Sequence, residues 1–314
     1  MSQHWSTVKE AGALKGLRFL IFIYNTFGRF IFNLILVPVM AYFFVRRGDA
    51  RRASLDYLRR VKSAYPQSLP NQPIAWLSFR HFLTFGHSLL DKYIAWSQSL
   101  TDISMDPEEE KMLFKLVSSS KGCLVVGSHF GNLEYSRGIS ARHPELVINV
   151  LLYDQHAENF STLLKDAKSE SRMNLIQVTD IDISLALTLK EKVQRGEWVV
   201  IAGDRIPVGE GKRVCSADFF GGRANFPVGP YVLANLLHCP VYLMHCFLVK
   251  DDYHVGVEFF EDDFVIDRKN RQAGYEKAAQ KFAIALEKQV VKYPLQWFNF
   301  FDFWHSQEKQ DKQN

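Results

Sequence analysis

The sequence predicts an α/β fold, with a mostly parallel central sheet flanked by helices and an N-terminal membrane-associated helical segment. Two observations predict it: short apolar runs alternate with helical patterns from residue 121 onward, and one long apolar run occupies residues 19–45. The chain has 314 residues, of which 47% are hydrophobic and 23% charged. This composition supplies enough apolar surface for a core and excludes a mostly disordered chain.

The apolar run at residues 19–45 contains a single charged side chain, Arg29. A helix of that length would extend about 40 Å, against about 30 Å for the hydrocarbon core of a bilayer. Gly28 and Arg29 divide the run into two pieces, and Pro38 lies in the second. Basic residues flank both ends, so loop charge does not orient the run. We expect a membrane anchor that spans the bilayer or lies in its interface, and a buried core helix is the alternative.

Three helices are predicted between the apolar run and residue 120. Residues 49–65 have the spacing of an amphipathic helix whose arginines form either a solvated face or a membrane-contacting face. Prolines predict a linker over 66–73, and residues 74–100 form a helical stretch rich in Phe and Trp. Asp106 and Pro107 mark the start of the next helix, which has acidic residues in its first turn.

From residue 121 the pattern alternates between strands and helices. Short apolar or alternating stretches predict strands at 123–127, 146–152, 175–178, 197–202, 241–249 and 254–260, the last as an edge strand. Helical patterns occupy 132–142, 157–170, 182–195, 228–238 and 271–291. Alternation of this kind predicts a largely parallel sheet.

The chemistry is predicted at the end of the first strand. His129 lies just beyond Gly127, and Glu134 follows five residues later, about one turn into the next helix. A carboxylate that accepts one ring N–H raises the basicity of the other nitrogen, so this His can take a proton from a hydroxyl. Gly131 and the helix N-terminus offer N–H groups to an anion. The alternative is a helix capped by Ser128 with an incidental His.

The stretch from His129 to Glu134 (HFGNLE) resembles the H-x4-[D/E] box of the glycerolipid acyltransferase superfamily. Its context resembles the lauroyl/myristoyl acyltransferase branch of lipid A biosynthesis. Three further segments agree with that branch in the same order: residues 203–205 (GDR) stand where it carries an Asp-Gln or similar pair, residues 219–234 resemble its F-F-G…G…L-A segment, and residues 293–298 resemble its Y-P-x-Q-[WY] signature.

The resemblance implies transfer of a fatty acyl group from a thioester, acyl-carrier protein or acyl-CoA, to a hydroxyl of a lipid acceptor. His129 would be the general base, oriented by Glu134, and the hydroxyl would attack without a covalent acyl-enzyme. No metal and no cofactor beyond the thioester is implied. The residues agree on one point, because the Gly127–Gly131 turn centres on His and not on the Ser of a nucleophile elbow.

Several residues are candidates for substrate binding under this resemblance: Phe130, Gly131, Asn132, Arg205, Phe220 and Gly221. Arg205 stands where related glycerophosphate enzymes place a phosphate-binding Arg, and an Arg at a strand end can grip a phosphate or carboxylate. A salt bridge to Asp204 or Glu210 is the alternative. Phe220 and Gly221 would line the acyl or acceptor groove, or else form a packed loop.

The predicted organisation is an anchor with a basic helix at 1–73, an acyltransferase domain at 74–306 and a polar tail at 307–314. The resemblance implies the cytoplasmic face of a bacterial inner membrane. A net charge of +4 is too mild to indicate a nucleic-acid partner. Two other functions remain open: a thioester or ester hydrolase that uses His129 and Glu134 on water, and a non-catalytic membrane-bound scaffold.

Overall fold

The computed structural model describes most of the chain, in seven stretches: residues 11–97, 103–119, 121–152, 173–178, 181–206, 214–267 and 269–304. The predicted helix at 157–170 and the predicted tail at 307–314 lie outside the described residues. The chain divides into two compact units. The first consists of residues 1–94, 218–224 and 287–314, and the second of residues 95–217 and 225–286. The predicted division into an anchor at 1–73 and a catalytic domain at 74–306 is one of function, and it stays a prediction.

Three helices supply most of the first unit: α1 (Ala11–Arg46), α2 (Gly48–Ala64) and α3 (Ile74–Ser97), whose last three residues belong to the second unit. Gly28 adopts φ 77° and ψ −179°, which breaks α1 into two helical pieces. This left-handed φ suits a residue without a side chain, and the predicted division at Gly28 is confirmed. Pro38 lies within the second piece, as predicted.

One face of α1 packs against α3. Phe32, Leu36 and Met40 form a buried cluster with Phe82 and Leu90 of α3. The helices approach closely at a glycine of α3, Gly86, where a Cβ atom would lie 2.9 Å from a methyl group of Leu36. These contacts cover one side of α1.

The opposite face of α1 is apolar and exposed. It carries aromatic and aliphatic side chains: Phe19, Phe22, Phe27, Phe30, Leu34, Val37, Tyr42, Phe43 and Val45. The stretch Arg18–Arg46 is long and apolar enough to cross a membrane, and only 17% of its most apolar window is buried. This exposure disfavours the buried core helix and agrees with membrane association.

A six-stranded sheet forms the centre of the second unit. Its strands are β1 (Cys123–Gly127), β2 (Ile148–Leu152), β3 (Met173–Gln177), β4 (Trp198–Ala202), β7 (Val241–Val249) and β8 (Asp252–Glu261). Their order across the sheet is β3-β2-β4-β1-β7-β8. Every pairing is parallel except that of the edge strand β8 with β7. The predicted fold class is therefore confirmed, as is the edge position of the last strand.

Helices flank this sheet: α4 (Pro107–Ser118), α5 (Arg137–Arg142), α6 (Ile183–Gln194), α7 (Gly229–Leu237) and α8 (Arg271–Val290). The Asp106 side chain caps α4 by accepting a hydrogen bond from the Glu108 N–H at 3.0 Å, as its sequence predicts. The helical pattern predicted at 132–142 is confirmed. Its first turn is a 3₁₀ turn, Leu133–Ser136, which the side chain of Asn132 caps, and the short helix α5 follows.

A hairpin of two strands, β5 (Val214–Phe219) and β6 (Gly222–Pro227), is not predicted by the apolar pattern of the sequence. Its turn places Phe220 at φ 47° and Gly221 at φ 69°. Both are left-handed values, which are unfavourable for a bulky residue such as Phe. The turn belongs to the first unit.

A buried polar cluster lies within the first unit around His81 of α3. The His81 Nε2–H donates to the Trp297 carbonyl at 3.0 Å, so Nδ1 accepts from the Ser54 hydroxyl at 3.0 Å. The Ser78 hydroxyl in turn donates to the Ser54 oxygen at 2.8 Å. This chain of bonds joins α2, α3 and the C-terminal segment through one neutral, fully buried imidazole.

The stability of the first unit should fall in mild acid because of His81. Burial lowers the pKa of His81 to about 4, whereas an unfolded His titrates near about 6.5. The unfolded chain therefore binds a proton that the folded chain resists, and stability is lost as pH falls from about 6.5 towards 4. The loss attributable to His81 is about 3 kcal/mol at the acid end. The midpoint of thermal unfolding in detergent, measured across this pH range, tests it.

The matched variants are His81→Asn and His238→Asn. We expect His81→Asn to lower the midpoint at pH 7 and to flatten its decline below pH 6.5. His238 has a side chain that is 51% exposed, so its variant should keep the wild-type slope. Parallel slopes for the wild type and His81→Asn would contradict the assignment.

Candidate active site

The site is built where two neighbouring parallel strands end. β1 and β4 pair in register, with Gly127 opposite Ala202, and the Gly203 N–H donates to the Gly127 carbonyl at 2.8 Å. His129 lies two residues beyond the end of β1, and Asp204 lies two residues beyond the end of β4. The two side chains therefore emerge at the same carboxyl edge of the sheet, where open α/β sheets bind their ligands.

Asp204 holds His129 through both of its carboxylate oxygens. Nδ1 of the ring lies 2.8 Å from Oδ1 of Asp204, and the His129 backbone N–H donates to Oδ2 at 2.8 Å. Because a carboxylate only accepts, Nδ1 carries the proton and Nε2 keeps its lone pair. The side chain of His129 remains 34% exposed while Asp204 is fully buried. The arrangement fixes the orientation and tautomer of an imidazole whose side chain is partly exposed.

Charges around Asp204 keep it ionised despite its burial. Burial raises the pKa of this carboxyl group, but its electrostatic interaction and hydrogen bond with the His129 ring, the charge of Arg205 and the His129 backbone N–H together hold it below its usual value. The carboxylate can therefore stabilise a positive charge on the ring when His129 accepts a proton.

Arg205 lies half-buried beside Asp204, and its charge acts on that carboxylate. This interaction agrees with the alternative of a salt bridge to Asp204. The other partner considered, Glu210, lies outside the described residues. The anion-binding role of Arg205 stays a prediction.

The loop between His129 and Glu134 is fixed by β7. Gly131 adopts φ 70°, and a Cβ atom there would lie 1.9 Å from the Cys246 carbonyl oxygen. The Asn132 N–H donates to the same oxygen at 2.6 Å, while the Asn132 side chain accepts from the Glu134 N–H at 3.3 Å. The cap of the following turn is therefore Asn132, and the alternative in which Ser128 caps it is wrong.

Phe130 and Asn132 are both buried in this loop. The Phe130 ring lies 5.4 Å from that of Phe247 on β7. These contacts orient the loop that carries His129. The predicted substrate contacts of Phe130, Gly131 and Asn132 are not tested by the structure and stay predictions.

Glu134 lies at the start of the 3₁₀ turn and is half-buried. Its Oε2 accepts a hydrogen bond from the indole N–H of Trp96 at 2.7 Å. Trp96 belongs to the last turn of α3, and sequence reasoning missed it because nothing in its local pattern marks it as a partner of Glu134. The orienting role of Glu134 stays a prediction.

Phe220 and Gly221 lie in the first unit, in the turn of the hairpin. The Phe220 ring is only 2% exposed and packs 6.0 Å from Tyr57, and its backbone N–H donates to Glu287 at 3.2 Å. The packed-loop alternative describes Phe220 well. No Cβ contact limits Gly221, and the predicted groove role of both residues stays a prediction.

The sequence pattern of the bacterial lipid A biosynthesis acyltransferase family matches residues 65–306. The chain belongs to this family. The resemblance inferred from residues 129–134 and the three later segments is thereby confirmed. No curated protein matches the chain. Family membership supports an enzyme with acyl-transferring activity of the lipid A acyltransferase type.

The cysteines of this acyltransferase are poor nucleophiles. Burial raises the pKa of Cys215 to about 12 and that of Cys239 to about 11, and burial also raises the pKa of Cys123 and of Cys246. A thiol attacks as the thiolate, which such pKa values suppress near neutral pH. His129 is therefore a better candidate for the catalytic group of the family chemistry than any cysteine.

Replacement of Gly131 by Ala should abolish acyl transfer by the enzyme. The new Cβ would overlap the Cys246 carbonyl, and the left-handed φ of 70° would add backbone strain, so the loop that carries His129 must move. We expect at least about 100-fold loss of turnover, since small misplacements of catalytic groups cost about that much. Initial rates of acyl transfer test it.

The matched control is Gly196→Ala, which imposes the same kind of strain in the turn before β4, where φ is 87°. It should lower stability while turnover stays within about threefold of the wild type, because single strained positions cost about 1–3 kcal/mol each. Equal turnover of Gly131→Ala and Gly196→Ala would show that the Gly131 contact does not affect turnover through the His129 loop.

Proposed function

We propose that this chain transfers a fatty acyl group from an acyl thioester to a hydroxyl group of a lipid acceptor, with His129 as the general base. The observation that carries the proposal is the pair of hydrogen bonds between the Asp204 carboxylate and His129, one to the ring and one to the backbone, at the carboxyl edge of the sheet. Two such bonds suit a base that must present one ring nitrogen in one orientation.

The proposed step needs no covalent acyl-enzyme. Nε2 of His129 takes the proton of the acceptor hydroxyl while that oxygen attacks the thioester carbonyl carbon. The carbon–oxygen bond forms, the carbon–sulfur bond breaks, and the thiolate leaves with the proton returned by the imidazolium. The buried charge of Asp204 stabilises the imidazolium between the two proton transfers.

Glu134 is proposed as the second carboxylate of the site. It follows the His129 loop directly, and its backbone N–H is held by the Asn132 side chain. We assign to it the orienting role that the H-x4-E spacing implies, alongside the bonds from Asp204. In this role its negative charge would favour the protonated imidazole, which is the form that must be stabilised during the reaction.

The donor and acceptor are assigned by chemistry. The donor is acyl-carrier protein or acyl-CoA, and no other cofactor is required. Arg205 follows Asp204 directly in the chain, and its guanidinium group can bind a phosphate group of the donor or of the acceptor. Phe130, Gly131 and Asn132 complete the proposed binding loop.

We place the enzyme on the cytoplasmic face of a bacterial inner membrane, held there by α1. The exposed apolar face of α1 supplies the insertion surface, and the basic residues at its C-terminal end, Arg46 and Arg47, suit anionic headgroups. Arg51 follows on α2 and donates to the Phe44 carbonyl at 3.1 Å, which keeps this basic group beside the end of α1.

The direct test uses the full chain in detergent with radiolabelled acyl-carrier protein and a total lipid extract. We expect label to move to one lipid product and His129→Ala to reduce the rate by about 10²–10⁴-fold, the usual contribution of a general base. Loss of label from the thioester without a lipid product would favour the hydrolase. Unchanged transfer by His129→Ala would overturn the proposal.

Replacement of Asp204 by Asn should be nearly as damaging as loss of His129. The side-chain shape is kept, but the charge is lost and the amide can donate to Nδ1, which favours the wrong tautomer of the ring. We expect a fall in kcat of about 10²–10⁴-fold with KM changed little, measured in the same assay. Asp251→Asn, on an exposed turn, is the control and should leave both constants unchanged.

Glutamate substitutions on the exposed face of α1 should release the enzyme from membranes. Phe30, Leu34 and Val37 share this face at helical spacing, so Phe30→Glu, Leu34→Glu and Val37→Glu together place three charges in the proposed insertion surface. Flotation with vesicles of phosphatidylglycerol and phosphatidylethanolamine measures the bound fraction, and we expect it to fall at least about tenfold.

Phe114→Glu is the control for this surface, because Phe114 is equally exposed but lies on α4. It should float as the wild type does. A triple variant that also floats with the vesicles would exclude this face of α1 as the main membrane contact.

A further inference from the structure

We propose that Trp96 is a positioning residue of the active site, and that its indole N–H sets the location of the Glu134 carboxylate. The inference rests on the proposed function, because it assigns Trp96 a role only through Glu134. The observation behind it is the hydrogen bond from Trp96 Nε1 to Glu134 Oε2 at 2.7 Å. A bond of this length from a neutral donor to a charged acceptor is among the stronger side-chain bonds.

The indole ring is itself held in place by Arg137. The Arg137 guanidinium lies 3.9 Å from the centre of the Trp96 ring, within the range of a cation–π contact. The same guanidinium donates to the carbonyl of Ala95 at 2.8 Å, directly before Trp96 in the chain. Arg137 thus fixes both the backbone and the ring face of this tryptophan.

Arg137 and Glu134 also interact through charge. Arg137 is only 5% exposed; burial lowers its pKa, and the negative charge of Glu134 opposes that shift. Glu134 is three residues before Arg137 in the chain. The 3₁₀ turn Leu133–Ser136 contains Glu134, and Arg137 follows this turn directly. The carboxylate therefore has two partners from one cluster: the indole N–H and the guanidinium charge.

A packing role alone would not require this arrangement. Packing on Arg137 requires an aromatic face, which Phe or Tyr would also supply, whereas only the indole of Trp places an N–H donor at the edge of a ring this large. The donor is directed at a carboxylate that is half-buried, and a buried charged acceptor is costly to leave unpaired. We therefore assign the N–H to the carboxylate and the ring face to Arg137.

The first test is kinetic. Trp96→Phe keeps an aromatic face for Arg137 and removes the N–H, and 3-benzothienylalanine at position 96 keeps the full ring shape with sulfur in place of the N–H. We expect both to lower kcat about tenfold, with KM for the acyl donor unchanged within about twofold, because the reacting groups are misplaced while substrate binding is kept.

The isosteric substitution separates positioning from packing. If Trp96 only packs, benzothienylalanine restores wild-type kcat while Trp96→Phe does not, and the proposal is overturned. Thermal unfolding in the same detergent accompanies both variants, and the isosteric variant should keep the wild-type midpoint. Trp76→Phe, on an exposed part of α3, is the matched control and should leave kcat unchanged.

A second test asks whether Trp96 acts through Glu134. In a Glu134→Gln background the further change to Trp96→Phe should lower kcat by less than twofold, because the group that Trp96 positions is already lost. A full tenfold effect in that background would assign Trp96 a role independent of Glu134. If His129→Ala is inactive while the Trp96 variants turn over as the wild type does, only the inference about Trp96 is overturned. If His129→Ala remains active, the proposed function itself is overturned.

Discussion

The site depends on one buried carboxylate. Asp204 is fully removed from solvent, yet both of its oxygens are used, one by the His129 ring and one by the His129 backbone. A buried carboxylate without such partners would cost several kcal/mol and would take up a proton instead. Its electrostatic interaction and hydrogen bonds with His129, together with the positive charge of Arg205, hold its pKa down and remove that route. The same bonds that keep Asp204 charged therefore fix the tautomer and direction of the His129 ring.

This pair exists because of strand register. β1 and β4 are neighbours in the sheet although β2 and β3 lie between them in the chain. The pairing of Gly127 with Ala202 brings His129 and Asp204, each two residues farther along, to the same level. A shift of one residue would turn one side chain to the opposite face. Register is set by the buried faces of the strands, and all five residues of β1 are buried, so the core determines the geometry of the edge that carries His129 and Asp204.

The sequence was sufficient for what is local. Apolar runs and their spacing predicted the six strands of the sheet, and the H-x4-E spacing selected His129 and Glu134, because both lie in one continuous segment. The bond between His129 and Asp204 joins residues 75 positions apart, which periodicity does not encode. The β5–β6 hairpin was missed because its strands carry polar residues at several positions and no continuous apolar run. The bond of Trp96 to Glu134 was missed for the same reason as the bond of Asp204 to His129, because the partners are distant in the chain.

The two carboxylates of the site have different surroundings, and this difference suits different tasks. Asp204 is buried against the imidazole and held by two hydrogen bonds from one residue, so it can move little as charge develops on the ring. Glu134 is half-buried and shares its charge with the indole N–H of Trp96 and the guanidinium of Arg137. Asp204 therefore fixes the His129 ring through hydrogen bonds, whereas the orienting role that we propose for Glu134 depends on a carboxylate whose partners include Trp96 and Arg137.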